Sequence, residues 1–269
     1  MPQPSRNSQV SASWRSAWAV VALCLVVLAA AATLLPCPDA ATHGTRLILC
    51  LLAVEAAALA VAVPFLAARA LGAPGRRARL LRTLLPVLGI EGISLAISAA
   101  AARGSVQLTT LLWSQLFYLA FAGLLAALTN ALASLGLRAT TAQVVATLVA
   151  IAMLGQVFFA NSLVEAATGE RAKMAVIDAM LWTNPWLIVG GSILQADPLR
   201  SENLYEWSVV IYYGFRYPGS AIAAVWARAL FLSGLYAACA AAVQALAWLI
   251  ASRPRRPANV QQVDSSCPL

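Results

Sequence analysis

Leu47-Ile-Leu-Cys-Leu-Leu-Ala-Val-Glu55-Ala-Ala-Ala-Leu-Ala-Val-Ala-Val-Pro64-Phe-Leu-Ala-Ala68 decides the architecture. A helix crossing about 30 Å of hydrocarbon needs roughly 20 mostly apolar residues, and this run supplies them around a single charge, Glu55. Its apolar residues are continuous and do not alternate, so it reads as a helix and not as a barrel strand. Pro64 does not argue against a span, because proline is tolerated in membrane helices.

Working outward, five further runs have the same character. Ala17–Leu35 precedes it without a charge, and at 19 residues it exceeds the core of a cleaved signal peptide, about 7–15. Leu84–Ala102 follows, with Pro86 and Glu91. Another lies within the charge-free run Gly104–Leu137, long enough to tilt or to enter by an interfacial turn. Ala139–Val164 and Ala229–Ser252 complete six. The expected fold is an all-α integral membrane protein with one six-span domain over residues 17–252, between short polar tails at 1–16 and 253–269.

Composition agrees. The 269 residues are 61% apolar and 10% charged, against about 45–50% and about 25% in soluble domains. A soluble enzyme, a disordered chain and a disulfide scaffold are excluded. The net charge is +8, and 17 of the 18 basic residues are arginine, Lys173 being the exception. With six spans both termini share a side. That side carries eleven bases, namely Arg6, Arg15, Arg69, Arg76, Arg77, Arg79, Arg82, Arg138, Arg253, Arg255 and Arg256, against Arg46 and Arg103 in the short loops opposite. The positive-inside rule puts both termini in the cytoplasm. The basic excess therefore reads as topology and not as nucleic-acid binding.

Two segments are more than span or loop. In Arg69-Ala-Leu-Gly-Ala-Pro-Gly-Arg-Arg-Ala-Arg-Leu-Leu-Arg-Thr-Leu-Leu-Pro86, a Pro-Gly turn precedes an amphipathic stretch in which Arg76, Arg79 and Arg82 recur every three residues among leucines. It serves either to hold the loop inside, on lipid phosphates, or to dock a cytoplasmic partner. The outer segment 165–228 is too long for an ordinary loop. Within it, Asn184-Pro185-Trp186 is a turn or helix-start signal, and Gly190-Gly191 interrupts the next apolar run. A re-entrant or interfacial helical pair is expected there. The Tyr- and Trp-rich stretch 203–217 follows, read as an interfacial belt or an outer gate.

The order of these features resembles the membrane subunit of ABC-2 type transporters. Val63-Pro-Phe-Leu-Ala-Ala, the basic 74–82 turn and Thr83-Leu-Leu-Pro86 are similar to that family's segment between spans two and three; Ala133-Ser-Leu-Gly-Leu-Arg-Ala-Thr-Thr-Ala142 to its turn into span five; and Asn184-Pro185 to its outer Asn-Pro. Two departures stand out: Pro-Gly-Arg-Arg replaces the family's Glu-Arg, and Glu91 stands near the place of a frequent lysine. The resemblance implies a permease subunit in the bacterial cytoplasmic (inner) membrane. It implies a coupling helix between spans two and three, where Arg76, Arg77, Arg79 and Arg82 receive a separate ATPase subunit, and Asn184, Pro185 and Trp186 at an outer gate. It further implies a second permease subunit, identical or not, and lipids as neighbours. ATP would act only through the partner, since the chain has no Gly-x-x-x-x-Gly-Lys-[Ser/Thr] phosphate loop. A non-transporting membrane anchor or assembly subunit is the alternative.

Among single residues, Glu55 and Glu91 are the ionisable groups well inside spans, and an intramembrane charge is a functional candidate. Glu55 is expected deeper than Glu91, and Asn130, Gln115 or a neighbouring subunit is a candidate polar contact for either. No catalytic or metal site is expected. The five cysteines have no Cys-x-x-Cys spacing, and His43 is the sole histidine. An intramembrane serine protease built on Gly190-Gly-Ser192 would lack its base.

Overall fold

A computed structural model describes residues 40–102, 106–194 and 222–252. It contains seven helices in the described residues and no strand among them: α1 (Ala40–Ala70), α2 (Arg76–Ala102), α3 (Leu108–Ser134), α4 (Ala139–Ala166), α5 (Glu170–Thr183), α6 (Pro185–Leu194) and α7 (Ile222–Ala251). Five of them, α1 to α4 and α7, contain stretches long and apolar enough to cross a membrane: Leu47–Ala70, Arg77–Ala102, Leu108–Ser134, Ala139–Gln156 and Phe231–Leu249. This is the architecture of an all-helical, multi-pass membrane protein. The expected first span, 17–35, lies outside the described residues, as do the tails and the 203–217 stretch.

One element differs from the sequence expectation. The arginine stretch does not form a helix of its own; Arg76 opens α2, which runs unbroken through Pro86 to Ala102. Arginine and leucine are strong helix formers, and nothing between Arg76 and Pro86 interrupts them. The lost hydrogen bond at Pro86 is of the kind that membrane helices accommodate. Helix α3 is one continuous helix of 27 residues, about 40 Å long, which leaves the tilted course of the expectation open.

Helix α1 is the hub. It packs on α2, α3, α4 and α6, with Ile48, Leu52, Leu59, Val63 and Leu66 buried. The most extensive packing is between α3 and α7, where the Tyr236 ring lies 5.2 Å from Phe117 and 6.3 Å from Phe121, centroid to centroid. The periphery is apolar as well: Val144, Leu148, Ile151 and Phe159 of α4 and Phe231, Leu246, Trp248 and Leu249 of α7 are exposed. Apolar side chains on the outside suit a hydrocarbon solvent. On α7, Ser233 is buried while Ala237, Ala241 and Ala245, which follow it at intervals of four, are exposed.

Short connections enforce the up-and-down course. Helix α3 ends on a left-handed glycine, Gly136 at φ 97°. The Leu137 amide donates to the Leu132 carbonyl and the Gly136 amide to that of Ala133, at 3.3 and 3.0 Å, a Schellman closure that satisfies the last carbonyls. A side chain at this φ costs about 1–2 kcal/mol, so Gly136→Ala should lower unfolding stability in detergent by that amount. Gly123 within α3 is helical with open space beside it, and Gly123→Ala should not destabilise. Equal effects of the two substitutions on the denaturation midpoint would show that the left-handed turn is not what Gly136 supplies.

Candidate functional site

The bundle buries two polar centres. The first joins three helices. Glu55 of α1 is fully buried and Glu91 of α2 is 6% exposed. The Ser94 hydroxyl donates to Glu55 Oε2 at 2.6 Å, and Gln115 Nε2 of α3 donates to the same oxygen at 3.1 Å. Glu91 lies one turn before Ser94 on α2, on the face that meets Glu55. The Tyr118 hydroxyl, one turn past Gln115, donates to the Leu52 carbonyl at 2.9 Å and locks α3 to α1.

Helix register explains why these groups meet. Glu55 lies fifteen residues before the end of α1 and Glu91 fifteen residues after the start of α2. At 1.5 Å per residue both sit about 22 Å from the turn that joins the helices. The expectation that Glu91 would be shallower counted depth from the apolar run at Leu84. The helix begins two turns earlier, at Arg76, and this brings the two carboxyls to one level.

The centre has more acceptors than donors. Glu55 Oε1, both carboxyl oxygens of Glu91, Gln115 Oε1 and the Ser98 hydroxyl are buried without a protein partner. A buried unpartnered polar atom costs about 1–3 kcal/mol, so this cluster is held at the expense of stability. Glu91, Ser94 and Ser98 are spaced i, i+3, i+7 and line one face of α2. That spacing was visible in the sequence, but serine is too common in membrane helices to mark a site without the carboxyl it faces. Asn130 is not part of the centre: it lies fifteen residues beyond Gln115 on α3, about 22 Å away and near the α3–α4 turn.

The second centre is the break between α5 and α6. Asn184 is fully buried. Its Oδ1 accepts from the Trp186 and Leu187 amides at 3.0 and 3.3 Å, capping α6, while Pro185 takes the first helical position, where its missing N–H is not needed. Its Nδ2 donates to the Leu154 carbonyl of α4 at 2.9 Å. Around it Trp186 Nε1 donates to the Leu49 carbonyl of α1 at 3.3 Å, and the Tyr236 hydroxyl of α7 to the Thr183 carbonyl at 2.9 Å. The four residues Thr183-Asn-Pro-Trp186 thus tie α4, α5, α6, α1 and α7 together.

The arginines gather far from both centres. Arg77 and Arg79 are exposed and Arg82 is half-buried. Arg79 Nε donates to the Ala73 carbonyl at 3.2 Å, fixing the 71–75 turn. Leu80, Leu81, Leu84, Leu85 and Leu88 are exposed on the same part of α2, so its first turns present an amphipathic surface. No cluster of three or more His, Cys, Asp and Glu suited to a metal occurs among the described residues.

Neither a protein-family model, nor a curated protein, nor a solved structure matches the chain. Its function is therefore argued from these centres.

Asn184→Ala removes a buried cap and the bond to Leu154, which predicts a loss of about 1–2 kcal/mol. Trp186→Phe gives up a single 3.3 Å hydrogen bond and should cost less. Detergent unfolding of both variants checks the order, and an Asn184→Ala protein as stable as wild type would remove Asn184 from this role.

Proposed function

We propose that the chain is the permease subunit of an ATP-driven transporter of the ABC-2 type, forming part of the substrate path and coupling to a separate ATPase. The carrying observation is the placement of two features on α1. The Arg-rich 71–82 segment adjoins one end of the helix. The Asn184 break is bound to Leu49, twenty-one residues from the other side of Ala70, which is about 31 Å along the axis. A docking surface at one end and a broken, inward-packed helical pair at the other is the division of labour that such a permease needs: force enters at one face and the path is gated at the opposite one.

Three further points support the reading. Helices α5 and α6, at 14 and 10 residues, are about 21 and 15 Å long and too short to span, yet Leu187, Ile188, Val189 and Ile193 of α6 are buried in the bundle. A bare anchor has no need of such a pair. The first turns of α2 expose arginine and leucine together, a surface fitted to a headgroup layer and a protein neighbour at once. The positive-inside count puts that surface, with Arg69 and Arg138, on the cytoplasmic side where an ATPase would dock. On this reading the chain works beside a second permease subunit in the bacterial inner membrane.

The test is charge reversal. With Arg76→Glu, Arg77→Glu and Arg79→Glu combined, affinity purification from detergent should lose the P-loop ATPase recovered with the wild-type chain, while the yield of membrane-inserted protein holds. Recovery of the ATPase with the reversed protein overturns the docking assignment. An inverted or degraded protein would show that the arginines are topogenic.

A further inference from the structure

We propose that the Glu55–Glu91 pair is a binding site for an exchangeable proton, entered from the end of the bundle where α2 meets α3. The site does not depend on the transport reading above. Both carboxyl groups are buried, and Glu55 Oε1 and both Glu91 oxygens have no protein partner; ionised carboxylates offer only acceptors, so the two can bond each other only when one of them carries a hydrogen. On α1 itself, Arg46 and Arg69 stand nine and fourteen residues from Glu55, about 13 and 21 Å along the axis. Of the elements packed around the pair, α3 contributes the Tyr118 phenol, whose hydrogen is given to Leu52. Helix α6 has no titratable residue, and α4 has one carboxylate, Glu165, exposed near its end. On α7, the Tyr236 hydroxyl is used on Thr183 and Cys239 is exposed, while Arg228 stands in the first two turns of the helix. The arginines of α2 end at Arg82, nine residues and about 13 Å short of Glu91. Two anions in hydrocarbon without a cation are costly, and a proton relieves that cost without needing a cavity.

Along α2 the buried polar side chains within two turns of Glu91 lie on one side only; Thr83 and Thr129, farther toward the arginine end, give their hydroxyl hydrogens to their own helix carbonyls. Toward the α2–α3 connection, Ser94 and Ser98 of α2 and Thr110, Ser114 and Gln115 of α3 are all buried, and the Ser98 hydroxyl and Gln115 Oε1 lack partners. Ser98 is four residues from the end of α2, about 6 Å, and Thr110 two residues from the start of α3. Toward the arginine end, Val87 and Ile90 of α2 close against Leu59 and Val63 of α1, all apolar and buried. A proton carried by water and hydroxyls therefore has a route from the α2–α3 end and none from the other.

Infrared difference spectroscopy on the full chain in lipid nanodiscs tests both parts. At a pH where exposed carboxyls are ionised, the wild-type protein should keep a carboxylic-acid C=O band that shifts in heavy water, and Glu55→Gln or Glu91→Gln should remove or displace it. Absence of the band in wild type overturns the site, without reliance on any variant, and so does a band unaltered in both single variants. If sodium chloride erases the band at constant pH while choline chloride does not, the occupant is an alkali cation and the proton assignment fails. Ser98→Val should slow the heavy-water shift while leaving the band in place; an unchanged rate overturns the entry route.

Discussion

A polar atom in the hydrocarbon layer has no water to turn to, and its partners must come from the protein. Helix α1 carries such atoms in the fully buried Glu55, and it touches α2, α3, α4 and α6. The bundle is arranged around that need. Ser94 reaches Glu55 from α2 and Gln115 from α3, and Tyr118 fastens α3 to the α1 backbone one turn below. With an apolar residue in place of Glu55, the Ser94 and Gln115 contacts would be lost and only the Tyr118 bond to the α1 backbone would remain. With Glu55, all three fix the register of three helices against each other, because a shift by one residue would turn the carboxylate toward lipid.

The two polar centres meet the same constraint in opposite ways. Asn184 has a partner at both polar atoms: its oxygen takes two amides and its nitrogen gives a hydrogen to one carbonyl. A satisfied network of this kind gives rigidity and a single geometry, and here it converts a helix break into a five-element joint. The Glu55–Glu91 centre is under-satisfied, with five atoms lacking protein partners. Stability alone would have replaced it with leucine. Strain of this sort is retained where it does chemistry, so the satisfied centre is read as scaffold and the unsatisfied one as site. Trp186 on Leu49 brings them to within six residues of each other along α1, about 9 Å.

The apolar runs made the helices legible from sequence, because length and continuity are enough to recognise a span. The Asn184-Pro185 break was legible for a local reason: both residues act on the backbone beside them. What sequence could not supply was register between helices. Depth counted from Leu84 separated Glu91 from Glu55, whereas depth counted from the true helix start at Arg76 joins them. An arginine-rich beginning reads as interfacial when judged by polarity, but its backbone is helical from the first residue. Asn130 was an attractive partner by residue type alone, and its place fifteen residues from Gln115 on the same helix rules out the contact. Polarity tells which side chains need partners; only packing tells which partners they get.

One-sided polarity also says what a change of state would require. The stretch from Leu84 to Ile90 on α2 has no polar side chain, and Leu59 and Val63 of α1 close over it. A charge crossing that stretch would leave the hydroxyls of Ser94 and Ser98 and meet about 10 Å of hydrocarbon, at a cost of several kcal/mol. Side-chain rotation cannot open it, since no polar group lies within the seal to be exposed. Transfer to the arginine end therefore requires α1 and α2 to part along Leu59, Val63, Val87 and Ile90. The turn that joins those two helices, 71–75, is held by the Arg79 bond to Ala73 and by Gly75 at φ 81°. A force applied to the first turns of α2 acts on that turn first, and the exposed arginines are where such a force could be applied.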